Sequence, residues 1–147
     1  EFIIMGDGPR RGEFEAYAQK LSLPARFLGR LPYPEMCGVL SACDMVVNPI
    51  THGAAQSIIN KHADYAACGR PVINTQECPE YRSLVEEWKM GFNCVNGDAA
   101  DLADKLSRLM DDPALRQIMG QNARRCAEER FDRQHSYQTL LDVITAG

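Results

Sequence analysis

Wound as a helix, Ser57, Asn60, Lys61 and Asp64 fall at i, i+3, i+4 and i+7 and share one face. The loop before them, His52-Gly53-Ala54-Ala55-Gln56, is built of small residues. A polar stripe that opens at a helix N-terminus behind such a loop suits an anion. Backbone N–H groups and the helix dipole favour a phosphate there, small side chains let it approach, and Lys61 one turn in adds a full charge. Asp64, a further turn along, has the chemistry to accept hydrogen bonds from a sugar diol, as an acidic residue does for ribose in dinucleotide folds. The spacing points to a nucleotide with its diphosphate at the loop and its ribose deeper. The plainer reading of the same stripe is a solvated helix face carrying a Lys–Asp pair worth about a few tenths of a kcal/mol.

Other candidates carry less. Gly6-Asp7-Gly8 follows a strand but lacks the third glycine of a dinucleotide fingerprint, and a plain turn explains it. His52 beside Gly53 could donate to a phosphate or be incidental. Glu77 and Glu80 give no argument for an acid/base pair, and Glu80 suits a helix start equally well. There is no Asp-x-Asp, the usual mark of a metal-bridged diphosphate, and no Ser/His/Asp order stands out. The six cysteines form no CxxC and the three histidines stand apart from them, so reduced thiols in a cytosolic protein are expected rather than zinc or a redox centre.

The elements that must position these residues alternate short apolar runs with stretches of helical period, the mark of βαβ units on a parallel sheet. Strands are expected at 2–5, 26–28, 45–48, 71–74 and 92–95. Helices are expected at 13–21, from Pro34 to Ala42, from Ser57 to Cys68 and at 81–87, with Ile58, Ile59, Ala63, Ala66 and Ala67 packing the third against the sheet. Asp98 and Asp112 are N-cap signals for two further helices, and Phe131-Asp132 breaks the pattern before a last helix ending near Ile144. The layout divides into βα units over 1–96 and a helical tail over 97–147. Ligands of open α/β sheets bind beyond the carboxyl ends of the strands, which singles out the loops at 6–11, 29–33, 48–61 and 74–81.

The 147 residues make one domain's worth of chain, with 16 Lys plus Arg against 20 Asp plus Glu and a net charge of −4. That balance disfavours nucleic acid as a partner, because phosphates call for a basic surface. No apolar run has the length of a membrane helix.

The series Gly6-Asp7-Gly8-Pro9, Phe27 through Met36, Cys43-Asp44 leading to Asn48-Pro49, and Asn60-Lys61 through Asp64-Tyr65 to Ile73 resembles the C-terminal domain of group 1 glycosyltransferases (family four). Asp112-Pro113-Ala114-Leu115-Arg116 and Asn122-Ala123-Arg124 extend the likeness through the tail. The resemblance implies an α/β fold, a Rossmann-like open parallel sheet flanked by helices. It would be the nucleotide-sugar-binding C-terminal half of a GT-B fold, lacking that domain's first strand and helix. In the usual strand order the missing strand is central, so Phe2–Met5 is expected either to pair directly with Met45–Asn48 or to leave a seam.

The family's Glu, seven residues, Glu pattern reads Gln56 and Asp64 here. Asp64 keeps the ribose contact with a shorter reach, whereas Gln56 carries no charge. The resemblance therefore implies catalytic contacts at Lys61 and Gln56. Donor contacts are implied at Gly6, Arg30, Leu31, Ser57, Asn60, Lys61 and Asp64, with no metal and no cofactor beyond the donor substrate. It implies transfer of a sugar from a nucleoside-diphosphate sugar to a glycan or lipid-linked acceptor held by the N-terminal domain. That reaction would proceed with retention, in surface polysaccharide or glycoconjugate synthesis, in the cytoplasm and with peripheral membrane contact through the other half. A nucleotide-sugar epimerase of the same fold and a non-catalytic binding module are the alternatives, the second kept open by Gln56.

Overall fold

The computed structural model describes residues 1–53 and 58–145 of the chain. They form two compact units, Glu1–Val39 and Leu40–Gly147. In the first, β1 (Phe2–Met5) and β2 (Ala25–Gly29) pair in parallel, with Phe2 opposite Ala25 and Ile4 opposite Phe27, before a register slip brings Met5 opposite Gly29. The crossover is α1 (Arg11–Lys20). Arg11 ties it to the sheet, donating from Nη2 to the Phe27 carbonyl at 3.1 Å and from Nε to Glu15 at 2.7 Å. α2 (Tyr33–Ala42) starts in this unit, with Pro34 in its first turn where no N–H is needed.

The larger unit holds a three-stranded parallel sheet in the order β3 (Val46–Asn48), β4 (Val72–Asn74), β5 (Gly91–Asn93). Every residue of the central β4 is buried, which is why its run is continuously apolar until its last residue. α3 (Asn60–Ala67) and α4 (Pro79–Glu87) are the crossovers. After β5 come α5 (Ala99–Asp111), α6 (Pro113–Cys126), a π-helical turn over Ala127–Phe131 and α7 (Arg133–Thr145). Asp98 caps α5 by accepting from the Ala100 and Asp101 amides, and Asp112 caps α6 by accepting from that of Leu115. Ile73, Cys94, Leu109 and Met119 form a buried cluster, with Phe92, Leu102, Leu106 and Leu115 packed on it.

Arginines from neighbouring segments hold three helix C-termini. Arg70 donates to the Ser41 carbonyl at the end of α2, Arg124 to that of Ala67 in α3, and Arg116 to those of Leu109 and Met110 in α5. Each guanidinium meets the negative end of a helix dipole. The three arginines line a cleft of about 400 Å³ with Asp44, Gly69 and Gly120, and helix ends, Asp44 and Glu128 offset most of their charge.

Several expectations are corrected. Of the two outcomes expected for Phe2–Met5, direct pairing with Met45–Asn48 is the one not found: among the described residues β1 is bonded to β2, and β3 to β4. The third helix starts at Asn60 rather than Ser57, because Ile59 is extended (φ −93°, ψ 152°), a backbone that suits a β-branched residue. Lys61 is therefore in the first turn of α3 instead of one turn in. Ile58 and Ala67, expected to pack on the sheet, are exposed, and His62 and Ala66 take the buried positions at i and i+4. The first helix begins two residues earlier, at Arg11, the fourth begins at Pro79, and the last strand ends at Asn93, short of Val95.

Gly91 is where the sheet admits no side chain, since a Cβ there would lie 1.9 Å from the Val72 carbonyl oxygen. Gly91→Ala is expected to lower the unfolding free energy by at least about 3 kcal/mol, the upper range of overpacking, read from urea denaturation.

Candidate functional site

The parallel register of the larger sheet sets Asn48, Asn74 and Asn93 side by side at the carboxyl ends of three adjacent strands. Their amides are joined. Asn48 Nδ2 donates to Asn74 Oδ1 at 3.0 Å, Asn74 Nδ2 to Asn93 Oδ1 at 2.9 Å, and Asn93 Nδ2 to the Arg82 carbonyl at 2.9 Å. At the other end, Asn48 Nδ2 lies 2.8 Å from Nε2 of His62 on α3. The His62 ring is wholly buried and stacks on Tyr81 of α4, ring centres 3.4 Å apart and planes within 1°. Burial, with Lys61 adding repulsion, lowers the pKa of His62 to about 4. Burial also raises the Tyr81 hydroxyl far above its ordinary range.

Lys61 and Asp64 are half-buried on α3 and Asn60 is exposed. The Lys61 ammonium forms no ion pair among the described residues, and desolvation lowers its pKa. Ile59, at the helix start, supplies no side-chain cap. α3 thus presents its dipole and one partly desolvated cation at the carboxyl end of the sheet, an arrangement able to stabilise an anion. The structure brings Asn60, Lys61 and Asp64 together on one short helix. Gln56 and Ser57, the other two predicted residues of this segment, lie outside the described residues.

Two loop residues across the same end are tied together. His52 Nδ1 is 3.0 Å from Glu77 Oε1, and the Gly53 amide donates to Glu77 Oε2 at 3.3 Å. Glu77 therefore holds the loop after β3 to the loop after β4. Glu80 stands in the first turn of α4, where it accepts from the Cys78 thiol at 3.1 Å.

In the smaller unit, Gly6 follows β1 with φ +125° and donates to the Gly29 carbonyl at 2.7 Å. Arg30 and Leu31 follow β2, the first exposed and the second half-buried. Gly6 and the start of the Arg30-Leu31 loop are thereby neighbours at the carboxyl ends of a strand pair.

Asn48, Asn74, Asn93, His62 and Tyr81 were not among the predicted site residues. A signal for three of them is present, because Val46-Val47-Asn48, Val72-Ile73-Asn74 and Gly91-Phe92-Asn93 each end a strand on the same amide.

A family model described as glycosyl transferases group 1 matches residues 1–112. A GDP-mannose-dependent monoacylated alpha-(1-6)-phosphatidylinositol monomannoside mannosyltransferase of Corynebacterium glutamicum is 27% identical over 98% of the chain and 38% of its own length. The lipopolysaccharide core biosynthesis glycosyltransferase LpsD of Rhizobium meliloti is 28% identical over 98% of the chain and 41% of its own length. Among solved structures, HepE of Anabaena in complex with UDP superposes with a TM-score of 0.83 at 24% identity, over 99% of the chain and 40% of HepE. The chain thus spans about two fifths of the length of these three proteins. The fold is that of the C-terminal domain of GT-B glycosyltransferases. No described helix is long and apolar enough to cross a membrane.

His62 carries a signed pH dependence. Its folded pKa near 4 lies below the ordinary 6.5, so folding disfavours its proton. Its stabilising effect is complete above pH 6.5 and is lost as pH falls from 6.5 to 4, amounting to about 3 kcal/mol at about 1.4 kcal/mol per pKa unit. Urea midpoints of the wild type should fall relative to those of His62→Leu across this window, and an NMR titration of the His62 ring should have its midpoint near 4.

Proposed function

The chain belongs to the group 1 glycosyl transferase family, and from that premise we propose that it is the donor-binding half of an enzyme that moves a sugar from a nucleoside diphosphate to an acceptor hydroxyl. The observation that carries this reading is Lys61, a half-buried cation with no ion pair among the described residues, in the first turn of α3 at the carboxyl end of the sheet.

As the bond to the sugar breaks, negative charge grows on the departing diphosphate. The Lys61 ammonium and the α3 dipole are placed to offset that charge without reorganising, which is how a site favours a transition state over its ground state. Asp64, one turn further along the helix, accepts hydrogen bonds from the ribose diol. Asn60 adds a polar contact, and the family pattern also assigns donor contacts to Gly6, Arg30 and Leu31. By the family pattern, Gln56 is a position for the donor sugar, here a neutral amide, and Ser57 one for the phosphates.

Retention at the anomeric carbon, operation without a metal, a cytoplasmic setting and an acceptor held by an N-terminal domain follow from the family pattern. Surface polysaccharide or glycoconjugate synthesis is the context, supported by the named roles of the relatives. Those names include a GDP-mannose-dependent enzyme and a UDP complex, so both bases belong in the test. The neutral Gln56 favours a second reading, a binding module without turnover.

Calorimetry of the purified chain with UDP and GDP separates these readings from a degenerate site, which would bind neither. In the whole enzyme that carries this sequence, Lys61→Ala is expected to lower kcat by about 100-fold or more, the usual cost of removing one charge-stabilising donor, with an unchanged circular dichroism spectrum. Unaltered kinetics would sink the assignment.

A further inference from the structure

We propose that His62 is a positioning residue for Lys61, held in one tautomer by a one-way chain of side-chain amides running across the ends of β5, β4 and β3. The functional consequence rests on the donor-site reading above; the chain itself is read from hydrogen bonds alone.

The direction begins at the Arg82 carbonyl, which can only accept. Asn93 must point its NH₂ there, at 2.9 Å, and so turns Oδ1 toward Asn74. Asn74 then offers its NH₂ to Asn93 and to the Gln76 carbonyl at 3.2 Å, leaving its Oδ1 for the Gln76 amide at 3.1 Å and for Asn48 at 3.0 Å. That obliges Asn48 to present its NH₂ to Asn74, and its second N–H meets His62 Nε2 at 2.8 Å. Nε2 accepts, so the ring proton sits on Nδ1. Turning over the Asn48 or Asn74 amide would set donor against donor or acceptor against acceptor in a dry interior. An imidazolium is opposed as well, since a proton on Nε2 would face the Asn48 N–H. Among the described residues, Asn48 from β3 bonds the ring, Tyr81 from α4 stacks on it and Lys61 on its own helix repels its charge, and none of these is an anion.

This arrangement is not the most stable filling of the space. Among the described residues, His62 Nδ1 and Asn48 Oδ1 are buried with no hydrogen-bond partner, and an apolar pair of the same shape would leave neither atom unmet. What the polar pair supplies is direction. A hydrogen bond in the ring plane and a stack beneath it fix the first turn of α3 to the end of β3, one residue from Lys61. Leucine fills the same volume without fixing a rotation. A catalytic cation displaced by about 1 Å can lose about 100-fold in rate, so this anchoring bears on the reaction.

The test starts with the ¹⁵N-histidine spectrum of the purified protein at neutral pH. His62 should show a protonated Nδ1 and a bare Nε2; the reverse tautomer or an imidazolium overturns the proposal. Asn48→Asp, which offers a carboxylate in place of the NH₂, should move the proton to Nε2. His62→Gln can accept from Asn48 through its side-chain carbonyl, and His62→Leu cannot. The Lys61 ammonium should keep its lowered pKa in the Gln variant and return toward the ordinary lysine value in the Leu variant. In the whole enzyme, donor kcat/KM should fall by about 30-fold or more with Leu and stay within about threefold with Gln. Equal behaviour of Gln and Leu in both readouts means that His62 only fills space and overturns the proposal. A wild type that binds no nucleotide overturns the donor reading instead, while the tautomer and the Lys61 titration still decide the positioning.

Discussion

The amide joint between β3, β4 and β5 is the constraint on which the carboxyl end of the larger unit's sheet depends. Parallel strands normally end in loops that are free to diverge. Here three asparagines in register bond their ends together before the loops begin. Both crossover helices are tied to that joint, α3 through His62 and α4 through the Arg82 carbonyl and the Tyr81 stack. The loops after β3 and β4 are gathered by it too. Thr75 Oγ1 donates to the Asn48 carbonyl, and Asn96 Nδ2 donates to the Ile50 and Thr75 carbonyls at 2.9 and 2.8 Å. Polar side chains thus do at this end what apolar packing does in the middle of the sheet.

The opposite end is organised by charge rather than by amides. There α2, α3 and α5 finish against arginines, whose positive charge meets exposed carbonyls and helix dipoles. Between the two ends, β4 and the cluster of Ile73, Cys94, Leu109 and Met119 carry the apolar burial. A polar carboxyl end, an apolar middle and a far end of arginine-capped helices organise this unit around strands of three residues. The mild net charge of −4 is compatible with the proposed donor site, because a diphosphate needs positive groups at one helix start and not over the whole surface.

The neutral Gln56 gives the proposed donor site an unusual balance. With no acid at that position, the defined charges on α3 are Lys61 and Asp64, and Lys61 is the half-buried cation. How α3 is seated therefore bears on where that cation stands. An accepting histidine one residue away, with its own charge suppressed, seats the helix without adding a competing cation.

Much of the fold was legible residue by residue. Short apolar runs, Pro34, Asp98 and Asp112 located strands and helix starts, since periodicity and capping are local physics. The Asn-Lys and Asp of α3 marked the candidate site for the same reason. Misplaced features were those set by partners distant in sequence. Ile58 and Ala67 are as apolar as core residues yet are exposed, and His62 is buried beside the expected Ala66, because Asn48 and Tyr81 offered the histidine a hydrogen bond and a stack. Likewise, the three terminal asparagines are visible along the chain, but their union requires the register that brings residues 48, 74 and 93 side by side. Sequence by itself determined the alternating βα plan, the family likeness and the identity of the polar residues on α3. Only tertiary structure decided which of them are buried, where α3 starts and which histidine nitrogen accepts, because register and desolvation arise only when separate segments meet.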